Sequence, residues 1–397
     1  MKSNFAYVSI LSTDNYMVGL MVMYFSLMLT KPKYDFFCLV TPNIREENIK
    51  ILKHLGINLI HVDPIANPYN SDKKSRKYYN YSKLNIFNLT EFKKAVYLDA
   101  DMIIMHNIDE LFNKPHMSGV NSGGMLPDKK SWTKLNSGLM VFEPSNELFN
   151  KMVNDIGKIE KEKGKGDQSF LHEFYKNWPN EKKLHLNHTY NIFHIHLDSY
   201  ARKFNYRLEE KIRYDNEQDD TLVKIIHYIG EDKPWYRIKK LKNNKTIKTL
   251  EDKANRIWYK KYRMFKNNIL KKLLEDLHSK QSNNIELINE ENSEKEKPEE
   301  ENKEIKQTIP SQVKSEPKND QTELLEKSND KDNEISHLEK LELKKKLLDH
   351  LYNNLSKRNI NIETNQSNEY IPESENAINT IGIVDTLTNT DCTEKAC

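Results

Sequence analysis

The sequence predicts an α/β domain, a mostly parallel sheet with both faces covered by helices, followed by a disordered tail. Three observations lead there. Seven-residue apolar runs, FAYVSIL (5–11), YDFFCLV (34–40) and INLIHVD (57–63), alternate with longer apolar or amphipathic stretches. Aromatic and aliphatic residues are dense up to about residue 270, after which Lys, Glu, Asn and Ser dominate. Polar residues also gather where the apolar runs end, the place where such sheets collect ligands.

Taken in order, FAYVSIL is a first strand and Ser12 to Tyr16 the turn out of it, with Asp14 as the cap of the next helix. YMVGLMVMYFSLMLT (16–30) is that helix. It falls short of the roughly 20 residues that span a bilayer, follows a strand and lacks a cleavage pattern, so a buried helix is expected and a membrane span is not. IREENIKILKHLG (44–56) is amphipathic and closed by Gly56. SKLNIFNLTEF (82–92) reads as helical and leads into the strand KAVYLDADMII (94–104), while Asp109 and Glu110 cap and begin a further helix. KLNSGLMVFEPS (134–145) is again a strand, and GKGDQSFLHEFY (164–175) opens a helix at Asp167 and Gln168. LVKIIHYIGEDKPW (222–235) is a strand ending at His227, and the amphipathic stretch 249–277 closes the domain.

The expected organisation is a catalytic domain over 1–270, a charged linker over 271–334, an amphipathic helix over 335–357 and a disordered tail over 358–397. Leu and Ile recur at near-helical spacing in 335–355, which reads as either an isolated helix or a partner-docking one. The net charge of +3 is too small to argue for nucleic acid. Cys38, Cys392 and Cys397 offer neither a zinc spacing nor a disulfide framework, which suits a reducing compartment.

The chemistry centres on YLDADMIIMHNIDELF (97–112). Asp99 and Asp101 stand at a strand end, where an acid, a spacer and an acid suit a hard divalent cation shared with a substrate's phosphates. Either acid can instead cap a turn or pair with a Lys. His227 is open to the same two readings, core residue or ligand, but Gly230 and Lys233 follow it, a combination suited to phosphate oxygens.

VSILSTDNY, YLDADMIIMHNIDELF, KLNSGLMVF, GKGDQSF and IIHYIGEDKPW occur in this order, and over residues 4–265 the chain resembles the glycogenin-like sugar transferases of glycosyltransferase family 8. The resemblance implies a GT-A fold, a Rossmann-like mixed sheet flanked by helices. It further implies a UDP-hexose donor, UDP-glucose first and a galactosyl donor as the alternative, and retaining transfer dependent on Mn(II), with Mg(II) as a substitute. Asp99, Asp101 and His227 would hold the metal. Ile10, Ser12, Thr13 and Tyr16 would receive the base, with Tyr16 stacked on uracil, and Ala100 would offer its backbone. Gly230 and Lys233 would meet the diphosphate. Asn136, Ser137, Asp167 and Gln168 would surround the sugar, with Asp167, Gln168 and Lys83 as the catalytic group. Retention by a covalent intermediate and by same-face attack both stay open.

The chain departs from the family at its acceptor segment. HTYNIFHIHLDSYARKF (188–204) places Asp198 where glycogenin carries its self-glucosylated tyrosine, with Tyr200 two residues on as a substitute acceptor. The acceptor is therefore expected to be a glycan or a protein tyrosine, the chain itself included. A homodimer accords with the family, and a cytoplasmic location, of the organism or of an infected host cell, accords with the missing signal. The competing reading is a catalytically silent sugar-nucleotide-binding protein that acts through its tail.

Overall fold

The computed structural model describes residues 4–70, 72, 76–123, 126, 130–160, 166–214, 219–243 and 246–269. The expected linker, the helix at 335–357 and the terminal tail lie outside the described residues.

Strands β1 (Phe5–Leu11), β2 (Phe36–Val40), β3 (Asn58–His61) and β4 (Lys94–Leu98) pair in parallel, in the spatial order β3-β2-β1-β4. Their apolar runs are continuous because helices cover both faces. Helix α1 (Met17–Leu29) buries nine of its thirteen residues, including Leu20, Met21 and Leu27. A helix apolar on nearly all sides belongs inside a protein core or a membrane. This one lies in the core, and among the described residues no helix is long and apolar enough to cross a membrane. Helix α2 (Glu46–His54) ends as its sequence foretells: Gly56 adopts φ +78° while its N–H bonds the Lys53 carbonyl and the Ile57 N–H bonds that of Leu52. Those two bonds satisfy the last carbonyls of the helix, and glycine enters the left-handed region without strain.

The sheet is mixed, as the resemblance implies: β7 (Leu135–Phe142) joins β4 antiparallel and β6 (Ser118–Asn121) joins β7 antiparallel. All eight residues of β7 are buried, and a strand covered on both faces reads the same in either direction. The helical stretch expected at 82–92 is a 3-10 helix over Arg76–Asn88. Two expectations need correction. Asp14 does not cap; it crosses to α2, accepting bonds from the Arg45 guanidinium at 2.9 Å and from Asn48 Nδ2 at 2.5 Å. Asp109 opens a 3-10 turn (Asp109–Asn113) without capping it. Its carboxylate accepts instead from the Tyr7 hydroxyl, the Lys33 N–H and Asn107 Nδ2.

A second, three-stranded sheet holds β5 (Met102–Ile104), β9 (Ile225–His227) and β8 (Ile192–Phe193). In it Met102 stands opposite His227 and Phe193 beside His227. The three residues between β4 and β5, Asp99 to Asp101, therefore carry the chain from one sheet to the other. Ser26 of α1 fastens this junction: its hydroxyl donates to the Met23 carbonyl and accepts from the Ile104 N–H at 2.9 Å. Helices α3 (Asn146–Ile156), α4 (Asp167–Phe174), α5 (Leu197–Phe204) and α6 (Ile238–Asn243) follow, and a helix over 250–269, α7, closes the described chain.

Candidate active site

In the order β3-β2-β1-β4 the strand sequence reverses between β1 and β4, and the site lies beyond their carboxyl ends. β4 delivers Asp99, whose N–H is pinned to the Gly138 carbonyl of β7 at 2.9 Å. The Tyr97 hydroxyl donates to Asp99 Oδ1 at 2.7 Å. Burial, followed by the charge of Asp99, pushes the Tyr97 phenol well above its ordinary range, so it stays a donor.

Asp99, Asp101 and His227 present one ligand atom each, all within 4.8 Å of one another. His227 Nε2 lies 3.1 Å from Asp101 Oδ1 and 3.9 Å from Asp99 Oδ2. Asp101 also meets Lys233 Nζ at 2.6 Å, and that ammonium bonds the Tyr228 carbonyl at 2.8 Å. Asp101, His227 and Lys233 are all buried. Burial alone would raise the Asp101 pKa, but His227 and Lys233 outweigh it and hold the acid ionised far below its usual range.

A second cluster flanks the first. Lys83 Nζ pairs with Asp167 Oδ2 at 2.7 Å and Asp99 Oδ1 at 3.1 Å. The Ser137 hydroxyl donates to the same Asp167 Oδ2 at 2.9 Å, and the Ser137 N–H donates to Gln168 Oε1 at 3.0 Å. Burial disfavours the Lys83 ammonium, yet the two acids more than compensate and raise its pKa. Asp167 is the first residue of α4 but not its cap, which is Gly166. Its carboxylate points into the site instead.

The structure thus joins Lys83, Asp99, Asp101, Ser137, Asp167, Gln168, His227 and Lys233 through direct contacts, and reaches Asn136 through Gly138 and Asn191. Tyr16 lies at the edge, its ring 5.8 Å from the Lys233 ammonium and edge-on to Trp235. Ile10, Ser12 and Thr13 line the end of β1 beside it, and Ala100 lies between the two acids. Gly230 has φ +89° with open space where a Cβ would stand, so its requirement is conformational. Tyr200 is set apart, 4% exposed in α5 with its ring stacked on Tyr206. Asp198 accepts from the N–H groups of Leu250 and Glu251, at 3.1 and 3.4 Å, and so caps α7 from a distance.

Three contributors escaped the reading of the sequence. A Cβ on Gly138 would come within 2.6 Å of His227 Cε1 and 3.0 Å of Asp99 Oδ2, so only glycine leaves the Asp99–Asp101–His227 triangle its room. One on Gly19 would strike Trp235 at 2.6 Å and the Ala100 carbonyl at 2.8 Å, so α1 lies directly against the acid-bearing turn. Asn191 accepts at Oδ1 from His227 Nδ1 at 2.9 Å. Gly138 and Asn191 stand inside the KLNSGLMVF and TYNIF stretches, but nothing in their spacing marks them.

Two carboxylates and an imidazole, with the room Gly138 leaves them, fit a divalent cation of the Mn(II) or Mg(II) type. The model of glycosyl transferase family 8 matches residues 7–239, more than half of the chain, and the protein belongs to that family. It is 32% identical over 244 residues to inositol phosphorylceramide glucuronosyltransferase 1 of Arabidopsis thaliana, covering 59% of this chain and 43% of that one. It is 29% identical over 241 residues to glycogenin-1 of Caenorhabditis elegans, covering 58% and 51%. Among solved structures, glycosyltransferase GlyE of Streptococcus pneumoniae TIGR4 is 18% identical, with a TM-score of 0.44 over 68% of this chain and 64% of that one. The chain spans about half the length of these curated relatives.

Proposed function

We propose that the protein transfers a hexosyl unit from a UDP-sugar to a glycan or protein acceptor, with retention of configuration and with Mn(II) or Mg(II). The observation that carries this reading is the junction of two clusters through one residue. Asp99 faces the metal-ligand triangle with one oxygen and the Lys83–Asp167 couple with the other. A diphosphate held by the first cluster sets its sugar against the second.

The bound cation would supply Lewis-acid stabilisation of the departing UDP through Asp99, Asp101 and His227. Lys233 would leave its pairing with Asp101 to add a positive charge beside the diphosphate. Tyr16 would stack on the base, with Ile10, Ser12 and Thr13 beside it. Asn136, Ser137 and Gln168 would orient the sugar. Asp167 Oδ2 is already engaged by Lys83 and by the Ser137 hydroxyl, which makes it a poor nucleophile and a good electrostatic partner for positive charge developing at the reacting carbon. That supports same-face attack. The bond from the sugar carbon to the phosphate oxygen breaks, the bond to the acceptor oxygen forms on the same face, and the acceptor proton passes to the departing phosphate.

Glucose is the proposed sugar, with galactose second. A uronate would need a cation for its carboxylate. Among the described residues the ammonium at Asp167 is that of Lys83, already shared between two acids, which favours a neutral hexose. Self-transfer through Tyr200 would require α5 to open, because the residue is buried in this conformation.

The test is purified full-length protein with Mn(II) and UDP-glucose, UDP-galactose or UDP-glucuronate, followed by free UDP and intact mass. Turnover with a neutral donor, absent from Asp101→Asn, is expected. Wild-type turnover by that variant would sink the metal assignment, and a preference for glucuronate would overturn the donor. Donor binding without turnover across an acceptor panel would favour the silent-protein reading.

A further inference from the structure

We infer that Asn191 is a positioning residue: with Asn136 and Gly138 it forms a hydrogen-bond relay that fixes which nitrogen of His227 is free to bind a cation. The inference rests on the metal site proposed above and deepens it. The relay starts from a group whose role is unambiguous. The Gly138 backbone N–H can only donate, and it meets Asn136 Oδ1 at 3.0 Å. The oxygen end of the Asn136 amide is thereby fixed. Its other neighbour, Asn191 Nδ2 at 2.8 Å, must then donate to it. This turns the Asn191 carbonyl oxygen toward His227 Nδ1, 2.9 Å away, so Nδ1 must carry a hydrogen.

The consequence falls on the other ring nitrogen. A neutral imidazole has one N–H, and the relay places it on Nδ1. Nε2 therefore presents its lone pair toward two carboxylates, 3.1 Å from Asp101 Oδ1 and 3.9 Å from Asp99 Oδ2. Left to itself, a ring in that position would turn its N–H to the nearer carboxylate and close the site. The relay forbids that neutral form. The ring either carries both protons or offers Nε2 to a cation. Metal-binding histidines are commonly held in this way through their second nitrogen.

The relay is built into the fold. Asn136 is 6% exposed, Asn191 and His227 4% each. Asn191 immediately precedes β8, and the Phe193↔His227 pairing of β8 with β9 sets the side chains in register. Gly138 sits in β7, so the relay also crosses between the two sheets.

The experiment uses the full chain without donor and reads Mn(II) affinity by electron paramagnetic resonance in wild type, Asn191→Leu and Asn191→Asp. Nitrogen-15 spectra of histidine-labelled wild type, with the His227 signal identified by its loss in His227→Gln, read the tautomer directly. The aspartate keeps an acceptor for the Nδ1 hydrogen and should hold affinity within about threefold, while leucine should lower it about 10–100-fold. The neutral His227 ring should appear as the Nδ1–H form. Wild-type affinity in Asn191→Leu, or an equal loss in both variants, would reduce Asn191 to a packing residue. An Nε2–H ring would overturn the relay even if Mn(II) binds. Wild type that binds no Mn(II) would instead overturn the metal reading, with the spectra still judging the relay.

Discussion

Gly138→Ala puts a single methyl group into the ligand triangle. The new Cβ would stand 2.6 Å from His227 Cε1, 2.9 Å from Asn136 Oδ1 and 3.0 Å from Asp99 Oδ2. Ordinary contact begins at 3.4 Å, so the first separation must grow by about 0.8 Å, the difference of 3.4 and 2.6. The backbone at 138 cannot easily retreat, because its carbonyl holds the Asp99 N–H and its N–H holds Asn136. His227 is held by Asn191 and by Phe193, edge-on at 5.6 Å. The displacement therefore falls on the ligand atoms. Overpacking of this kind costs about 1–3 kcal/mol of stability, and a misplacement near 1 Å costs about 100-fold in rate. Thermal melts, Mn(II) affinity and UDP release measured together check this. Gly157→Ala is the control: with nothing within 4 Å of its Cβ and φ −73°, it should keep activity and gain about 0.4–1 kcal/mol. Wild-type Mn(II) affinity and turnover in Gly138→Ala would refute the reasoning.

Three further outcomes are expected. Lys83→Met leaves Asp99 and Asp167 without their shared cation in a site at most a quarter exposed. It should abolish transfer and cost about 3–5 kcal/mol in chemical denaturation, and a loss below about 1 kcal/mol would show the acids are compensated otherwise. Asp198→Ala removes the acceptors of the Leu250 and Glu251 N–H groups, while Thr249 still caps α7 locally, and should cost about 0.5–1 kcal/mol with UDP release from the donor unchanged; equal melting temperatures would deny it the capping role. His106 and His194 are buried and their pKa values are pushed down to about 4, by burial first and then by Lys224 and Arg237 respectively. Below about pH 6.5 the unfolded chain takes up these protons and the folded one does not. Stability should therefore fall on acidification toward pH 4 by about 1.4 kcal/mol per pH unit for each residue. The double variant His106→Gln, His194→Gln should flatten that profile in urea titrations from pH 7 to 4.5, and an unchanged slope would contradict the assignment.

Much of this was legible along the chain, for identifiable reasons. β1 and α1 could be read because continuous apolar runs of strand and helix length leave little else to form. Asp99 and Asp101 stood out because carboxylates at the end of a buried strand demand compensation. What stayed hidden depended on partners distant in sequence. Asp14 looked like a cap until Arg45 and Asn48 of α2 were seen to claim it. The direction of β7 is invisible in eight residues buried on both faces. β8, of two residues, is too short to show a period, and Asn191 acquires its role from the pairing of β8 with β9.

Asp99 to Asp101 form the only stretch between β4 of the larger sheet and β5 of the smaller, and His227 belongs to the smaller. The ligand triangle therefore works as a gauge laid across a joint. A slip of one sheet against the other by a fraction of an ångström would leave each sheet's hydrogen bonds intact and yet change the distance from His227 to Asp99. Warming that loosens this seam should therefore silence the protein before the layers themselves unfold.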